Sequence, residues 1–144
     1  MTARRAIRAA AATGVAVCGL TVAVAGCGLD VQAPDLFLLT RTGQGQQLTL
    51  LPNDSGMIRC DGGTSRTLPD ALLIEARDLA QDLDKDARRG LTIKPTPGTV
   101  FEYRIKLEHG TISFPDSAAR GHKELSRATL FAAQAAQRAC GLPG

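Results

Sequence analysis

The chain has 144 residues, 22% of them charged, with a formal net charge of +3, four cysteines, one tyrosine and no tryptophan. That length accommodates one ordinary domain, and so few aromatic side chains leave no stacking platform for single-stranded nucleic acid. The basic balance does not point to nucleic acid either: Arg4, Arg5 and Arg8 belong to the leader, and from Cys27 onward 14 Lys/Arg face 14 Asp/Glu.

Those three arginines are followed by an uncharged run from Ala9 to Leu29, rich in alanine and valine, which is the layout of an export signal. A membrane-spanning helix is the rival reading, since about 20 apolar residues cross a bilayer. Val24-Ala25-Gly26-Cys27 resembles the bacterial lipobox, in which small residues precede a cysteine that is acylated and becomes the new N-terminus. The resemblance implies cleavage after Gly26, lipidation of Cys27 and loss of Cys18 with the signal. Thr2 to Arg8 also loosely resembles a twin-arginine signal, so the export route stays open. More than one acyl chain is needed for lasting attachment, and an acylated Cys27 supplies that. The expectation is a signal peptide over 1–26, a lipidated tether over 27–34 and a single domain over 35–144, held on the extracytoplasmic face of the cell membrane.

Within the domain, "LFLLTR" (Leu36 to Arg41) is a short apolar run between Pro34 and the turn-rich "TGQGQQ", which predicts a strand. "QLTLL" from Gln47 is its expected antiparallel partner, with Gly43 and Gly45 in the hairpin loop. Asn53-Asp54-Ser55-Gly56 turns the chain into "MIRCD", where alternation puts Ile58 and Cys60 on one face. Pro69 suits the first turn of a helix, and Leu72, Ala76, Leu79 and Leu83 recur at helical spacing until Gly90 stops the run. "LTIKPTPGT" reads as an extended connector. Phe101, Tyr103, Ile105 and Leu107 then alternate with Glu102, Arg104, Lys106 and Glu108, a strand with one wet face. His109-Gly110 turns it into "TISF". From Lys123 to Cys140 an alanine-rich segment puts Leu125, Ala128, Ala132, Ala135 and Ala139 on one stripe. The order β-β-β-α-β-β-α predicts an α+β fold: an antiparallel sheet of about five strands with two helices on one face.

Cys60 and Cys140 are the cysteines that remain in the domain, and after export an even pair most often forms a disulfide. His109 and His122 show no metal-ligand spacing to either, so no metal or other cofactor is expected. Asp82-x-Asp84-x-Asp86 opens like a calcium loop, but Ala87 and Ile93 stand where glycine and the bidentate glutamate belong. A solvated helix end accounts for the three acids. Gly43-Gln44-Gly45 lacks the remainder of a phosphate-binding fingerprint and reads as an exposed hairpin. Ser113 and Ser117 lie near the histidines in sequence without an ordered nucleophile, base and acid, so no enzymatic activity is expected.

The element order, with "RTGQG" at Arg41 to Gly45 and "FEYRIKLEHG" at Phe101 to Gly110, resembles the small emfourin-type inhibitors of thermolysin-like metalloproteases over most of Leu36 to Leu107. The whole chain is also similar to small high-GC actinobacterial lipoproteins of unassigned function. The first resemblance implies a non-catalytic module that engages an envelope or secreted protein, with Arg41, Gly43, Gln44 and Gly45 as the contact loop. The alternative is a carrier that encloses a small molecule or lipid between the sheet and the second helix.

Overall fold

The computed structural model describes residues 35–143, which belong to one compact unit, Val31–Gly144. Gly26, Cys27, Cys18 and the tether lie outside the described residues. Strands β1 (Leu38–Gly43), β2 (Gln46–Pro52), β3 (Met57–Cys60) and β4 (Ser65–Thr67) precede helix α1 (Asp70–Arg88). β5 (Glu102–Leu107) and β6 (Gly110–Pro115) follow, then a 3-10 turn, Asp116–Gly121, and helix α2 (Lys123–Ala135). The six strands form one antiparallel sheet in the order β4-β3-β2-β1-β5-β6.

The α+β class and element order agree with the sequence reading, with one strand more than the five expected. The addition is β4, whose Ser65, Arg66 and Thr67 are all exposed. It carries no apolar alternation to announce it, and it exists by pairing with Met57, Ile58 and Arg59 of β3. The connector after α1 is not wholly free either. Ser113 N donates to Leu91 O and Ile93 N to Ser113 O, so the segment lies along the open edge of β6. Open strand edges attract foreign strands, and a covering segment removes that template.

Register puts the fully buried apolar strand residues on one face. Leu39 is opposite both Leu50 and Ile105, Leu50 opposite Cys60, and Ile105 opposite Ile112. Leu72, Ala76, Leu79 and Leu83 of α1 and Leu125, Ala128, Ala132 and Ala135 of α2 join these in a single buried cluster. The two helices therefore share that face. Phe37 meets Phe131 edge-on at 5.6 Å, closing the α2 side of the core. The alanines of α2 let its backbone approach closely, which leaves room for Phe131 where the stripe alone would leave a gap.

The helices are joined to each other by charge as well as packing. Arg127 of α2 donates to Glu75 and Asp82 of α1 at 2.9 and 2.6 Å, and Asp78 lies 3.9 Å away. These acceptors keep the guanidinium more firmly protonated than usual. Past Ala135 the last turn widens to a π-turn, Ala136–Cys140, ended by Gly141 in the left-handed region (φ 67°). This turn carries Cys140 to β3, where it forms a disulfide with Cys60 across 80 residues, with Cα atoms 6.0 Å apart. Among the described residues, no helix is long and apolar enough to cross a membrane.

Candidate functional site

The two ends of the sheet carry the open features. At one end β1 and β2 are joined by a two-residue turn, Gln44-Gly45, with φ of 53° and 72°. Positive φ at both positions defines the primed hairpin turn whose twist matches that of the strands. Gly43 is the last residue of β1, paired with Gln46, and is not itself in the loop. It must be glycine for a different reason: a Cβ there would collide with the Val100 carbonyl oxygen and the Phe101 ring.

Arg41 faces the core side of the sheet, opposite Leu48 and Tyr103, and its guanidinium lies 4.8 Å from the centre of the Phe101 ring. A cation over an aromatic face is attracted by the ring quadrupole. Tyr103 stacks on Phe114 at 5.3 Å and is nearly buried. Burial pushes its hydroxyl pKa up, and the nearby Arg41 charge works against that rise. Asp116 braces the same corner: its Oδ2 accepts from Val100 N and Phe101 N at 3.2 and 3.3 Å. Its Oδ1 is buried without a hydrogen-bond partner.

Between the hairpin and the chain's last residues lies an open groove of about 550 Å³, lined among others by Arg41, Gln44, Gln46, Asp61, Phe101 and Leu142. The disulfide builds it. Cys60 is followed by Asp61, whose Oδ1 accepts from Thr49 N at 2.7 Å and whose own N donates to Thr49 O. Cys140 is followed by Gly141 and Leu142, and Leu142 N donates to Ala136 O. Joining the cysteines thus brings Leu142 and Asp61 to the walls of one groove. Sequence reasoning found the hairpin and the disulfide but missed Phe101, Asp61 and Leu142 as groove residues. The signal for the last two was present, because a Cys60–Cys140 bond brings the neighbours of both cysteines together.

At the opposite end, His109 does more than turn the chain between β5 and β6. Its Nδ1 lies 2.7 Å from Asp84 Oδ1 and 2.8 Å from Arg88 Nη2, and Arg88 Nε donates to Asp84 Oδ2 at 2.7 Å. A proton on Nδ1 is donated to the carboxylate; a bare Nδ1 accepts from the guanidinium. The Arg88 hydrogen bond, followed by that of His109, holds the Asp84 carboxyl below its ordinary pKa. An Asp–His pair is the orienting half of a hydrolytic triad, but the remaining contact of His109 is Nε2 to Glu108 at 3.9 Å. A groove of about 530 Å³ opens here, lined by Asp35, Asp54, Asp84 and His109 among others.

Asp82, Asp84 and Asp86 go to separate partners, Arg127, Arg88 with His109, and Arg89. Among the described residues no group of three or more His, Cys, Asp or Glu is placed to hold a metal ion. His122 is the N-cap residue of α2 without a side-chain cap bond, and Ser117 Oγ lies 3.3 Å from Thr96 Oγ1. Neither serine is brought to a histidine by a hydrogen bond. Comparison of the chain with protein-family models, curated proteins and solved structures finds no match.

Proposed function

We propose that the domain is a non-catalytic protein-binding module, displayed on the extracytoplasmic face of a membrane by an acylated Cys27, with the Gln44-Gly45 hairpin end as its contact surface. The observation that carries the reading is the coupling of a tight hairpin to a groove whose walls are already fixed. The disulfide, the Gly43 contact and the Asp116 brace each hold one wall. A surface ordered before binding loses little conformational entropy when a partner arrives. The groove mixes amide, guanidinium and apolar groups, the composition of a recognition surface.

The carrier alternative requires space between the sheet and α2. That space holds Leu39, Leu50, Ile105, Leu125 and Phe131, none more than 1% exposed, so the packing favours the protein-binding reading. A partner of the metalloprotease class is the specific form that the emfourin resemblance suggests.

The test combines capture and inhibition. The disulfide-intact domain, Val31–Gly144, is immobilised and challenged with envelope and culture-fluid extracts, and separately titrated against a thermolysin-like protease. Saturable binding weakened at least tenfold by Gln44→Ala with Gln46→Ala supports the module. Binding that ignores both changes would move the contact elsewhere, and a ligand extracted by organic solvent would restore the carrier.

A further inference from the structure

The sheet has a second face, and none of the described residues packs over it as a layer. Leu39 pairs with Leu50, so the alternate residues Leu38 and Leu51 lie side by side on this face, with Lys106 beside Leu38 and Arg59 beside Leu51. The four residues form a row across β5, β1, β2 and β3. One row toward the hairpin, Arg104 is opposite Thr40 and Ser113, at an open groove of about 320 Å³ with Lys94 on its rim. Glu102 is the carboxylate of β5 on this side.

The cations of this face stand without carboxylate partners, whereas those of the helical layer do so only in part, at Lys85, Lys123 and Arg138 among the described residues. Arg77, Arg88, Arg89 and Arg127 of the helical layer each meet a carboxylate. Among the described residues, Arg59, Lys94, Arg104 and Lys106 meet none within ion-pair distance, although Arg59, Arg104 and Lys106 are exposed. Cations flanking a half-buried leucine pair make a broad surface that is basic at its edges and apolar in the middle. Such a surface is complementary to a plane of anionic headgroups, whose phosphates meet the cations while the apolar strip reaches the acyl boundary.

The chain leading into the domain enters at the same end of the sheet. Asp35 bridges to Asn53, and Leu36 N donates to Pro52 O, next to the row that holds Lys106, Leu38, Leu51 and Arg59. Seven residues separate Cys27 from Asp35, and the eight steps between them reach at most about 28 Å when fully extended. We propose that the uncovered face of the sheet docks on an anionic phospholipid surface, with Arg59, Arg104 and Lys106 against the headgroup phosphates and Leu38 and Leu51 between them. The orientation rests on the anchor assigned to Cys27 above; the affinity of the face for headgroups does not.

The experiment uses the Val31–Gly144 domain, which lacks Cys27, so its outcome is independent of acylation. It is sedimented with vesicles of phosphatidylglycerol and with vesicles of phosphatidylcholine at low salt. The expected result is binding to the first alone, falling as salt is raised. Each cation near an anionic surface contributes about fivefold, so Arg59→Gln, Arg104→Gln and Lys106→Gln together should weaken binding roughly a hundredfold. The control changes three exposed cations elsewhere, Arg120, Lys123 and Arg138, to glutamine. An equal loss in the control would reduce the effect to net charge and overturn the proposal. Absence of vesicle binding would do the same, as would capture of soluble polyglutamate in preference to vesicles, which would give the face to an acidic protein.

Discussion

The two ends of the sheet each open onto a groove of similar size, about 550 Å³ at the hairpin and about 530 Å³ at His109, yet they are built on opposite terms. At the His109 end most of the charged groups are paired: Asp84 takes Arg88 and His109, and Asp54 takes Arg77 through both its side chain and its backbone oxygen, which leaves Asp35 on the rim. At the hairpin end Arg41 has an aromatic ring beside it and, among the described residues, no carboxylate at ion-pair distance, and Gln44, Gln46 and Gln47 line the same groove. Groups already paired hold elements together and would have to be unpaired to bind anything. Unpaired groups on a fixed frame can bind without that loss. Groove volume does not distinguish the two ends, but partnering does.

The strongest way to break the contrast is to remove the disulfide, which holds one wall at the hairpin end and none at the His109 end. On the chain-entropy model, closing a loop of 80 residues stabilises the fold by roughly 4 to 5 kcal/mol. Cys60→Ser with Cys140→Ser should lower the denaturation midpoint accordingly. Hydrogen exchange should rise first around Asp61 and Leu142, with the amides at the His109 end least affected beyond the global loss. Equal protection loss at both ends would mean the bond stabilises the whole domain uniformly and does not shape the groove.

Two glycines sharpen the comparison at smaller magnitude. A Cβ at Gly110 would collide with the Ala87 carbonyl oxygen, just as one at Gly43 would collide with that of Val100. Both obstacles are backbone, so Gly43→Ala and Gly110→Ala should each cost about 1 to 3 kcal/mol. Their stability effects should match while their functional effects differ. Partner binding at a temperature where both variants are folded should fall for Gly43→Ala and stay at the parent value for Gly110→Ala.

Much of the frame behind this contrast was legible in the sequence, because it rests on local alternation. Tyr103, Ile105 and Leu107 are buried between exposed Glu102, Arg104 and Lys106, the period-2 pattern of a strand with one wet face. The stripes of α1 and α2 were readable for the corresponding helical reason, and Cys60 shares a face with Ile58, as the alternation required. What escaped depends on partners distant in sequence. β4 has no pattern of its own and is defined by the edge of β3. The widened last turn of α2 reflects where Cys140 has to arrive. Arg41 stands next to the hairpin in sequence, but its place over Phe101 follows from β1 pairing with β5, which the sequence order does not state. In sequence His109 shows only its turn, because Asp84, its partner, stands 25 positions away on a helix.

Acid separates the ends next. The folded Asp84 carboxyl titrates below its ordinary range because Arg88 and His109 hydrogen-bond its charged form. Its contribution to stability is therefore present above the unfolded value of about 4 and is lost as pH falls through the lower folded one. Asp84→Asn should flatten the acid limb of a stability–pH curve. An unchanged acid limb would show that the three-residue cluster is too well solvated to register.

Alkali probes the hairpin end, and with the smallest effect the sign still discriminates. Tyr103 is the chain's one tyrosine and there is no tryptophan, so tyrosinate absorbance follows this residue without interference. Burial raises its pKa, partly opposed by Arg41 and reinforced by Asp116. The unfolded chain then releases its proton more readily than the folded one, so stability is full below about pH 10 and declines as pH rises above it. The absorbance midpoint of the folded domain should lie above that of the unfolded chain, and Tyr103→Phe should remove the alkaline slope. Arg41→Ala sharpens the test further: with the opposing charge gone, the folded midpoint should move higher still. A midpoint that moves down would mean that Arg41 mainly packs over Phe101 and shields the hydroxyl from water. Its removal would then have opened the groove, and Arg41 would belong to the frame of the hairpin end and not to its unpaired binding groups.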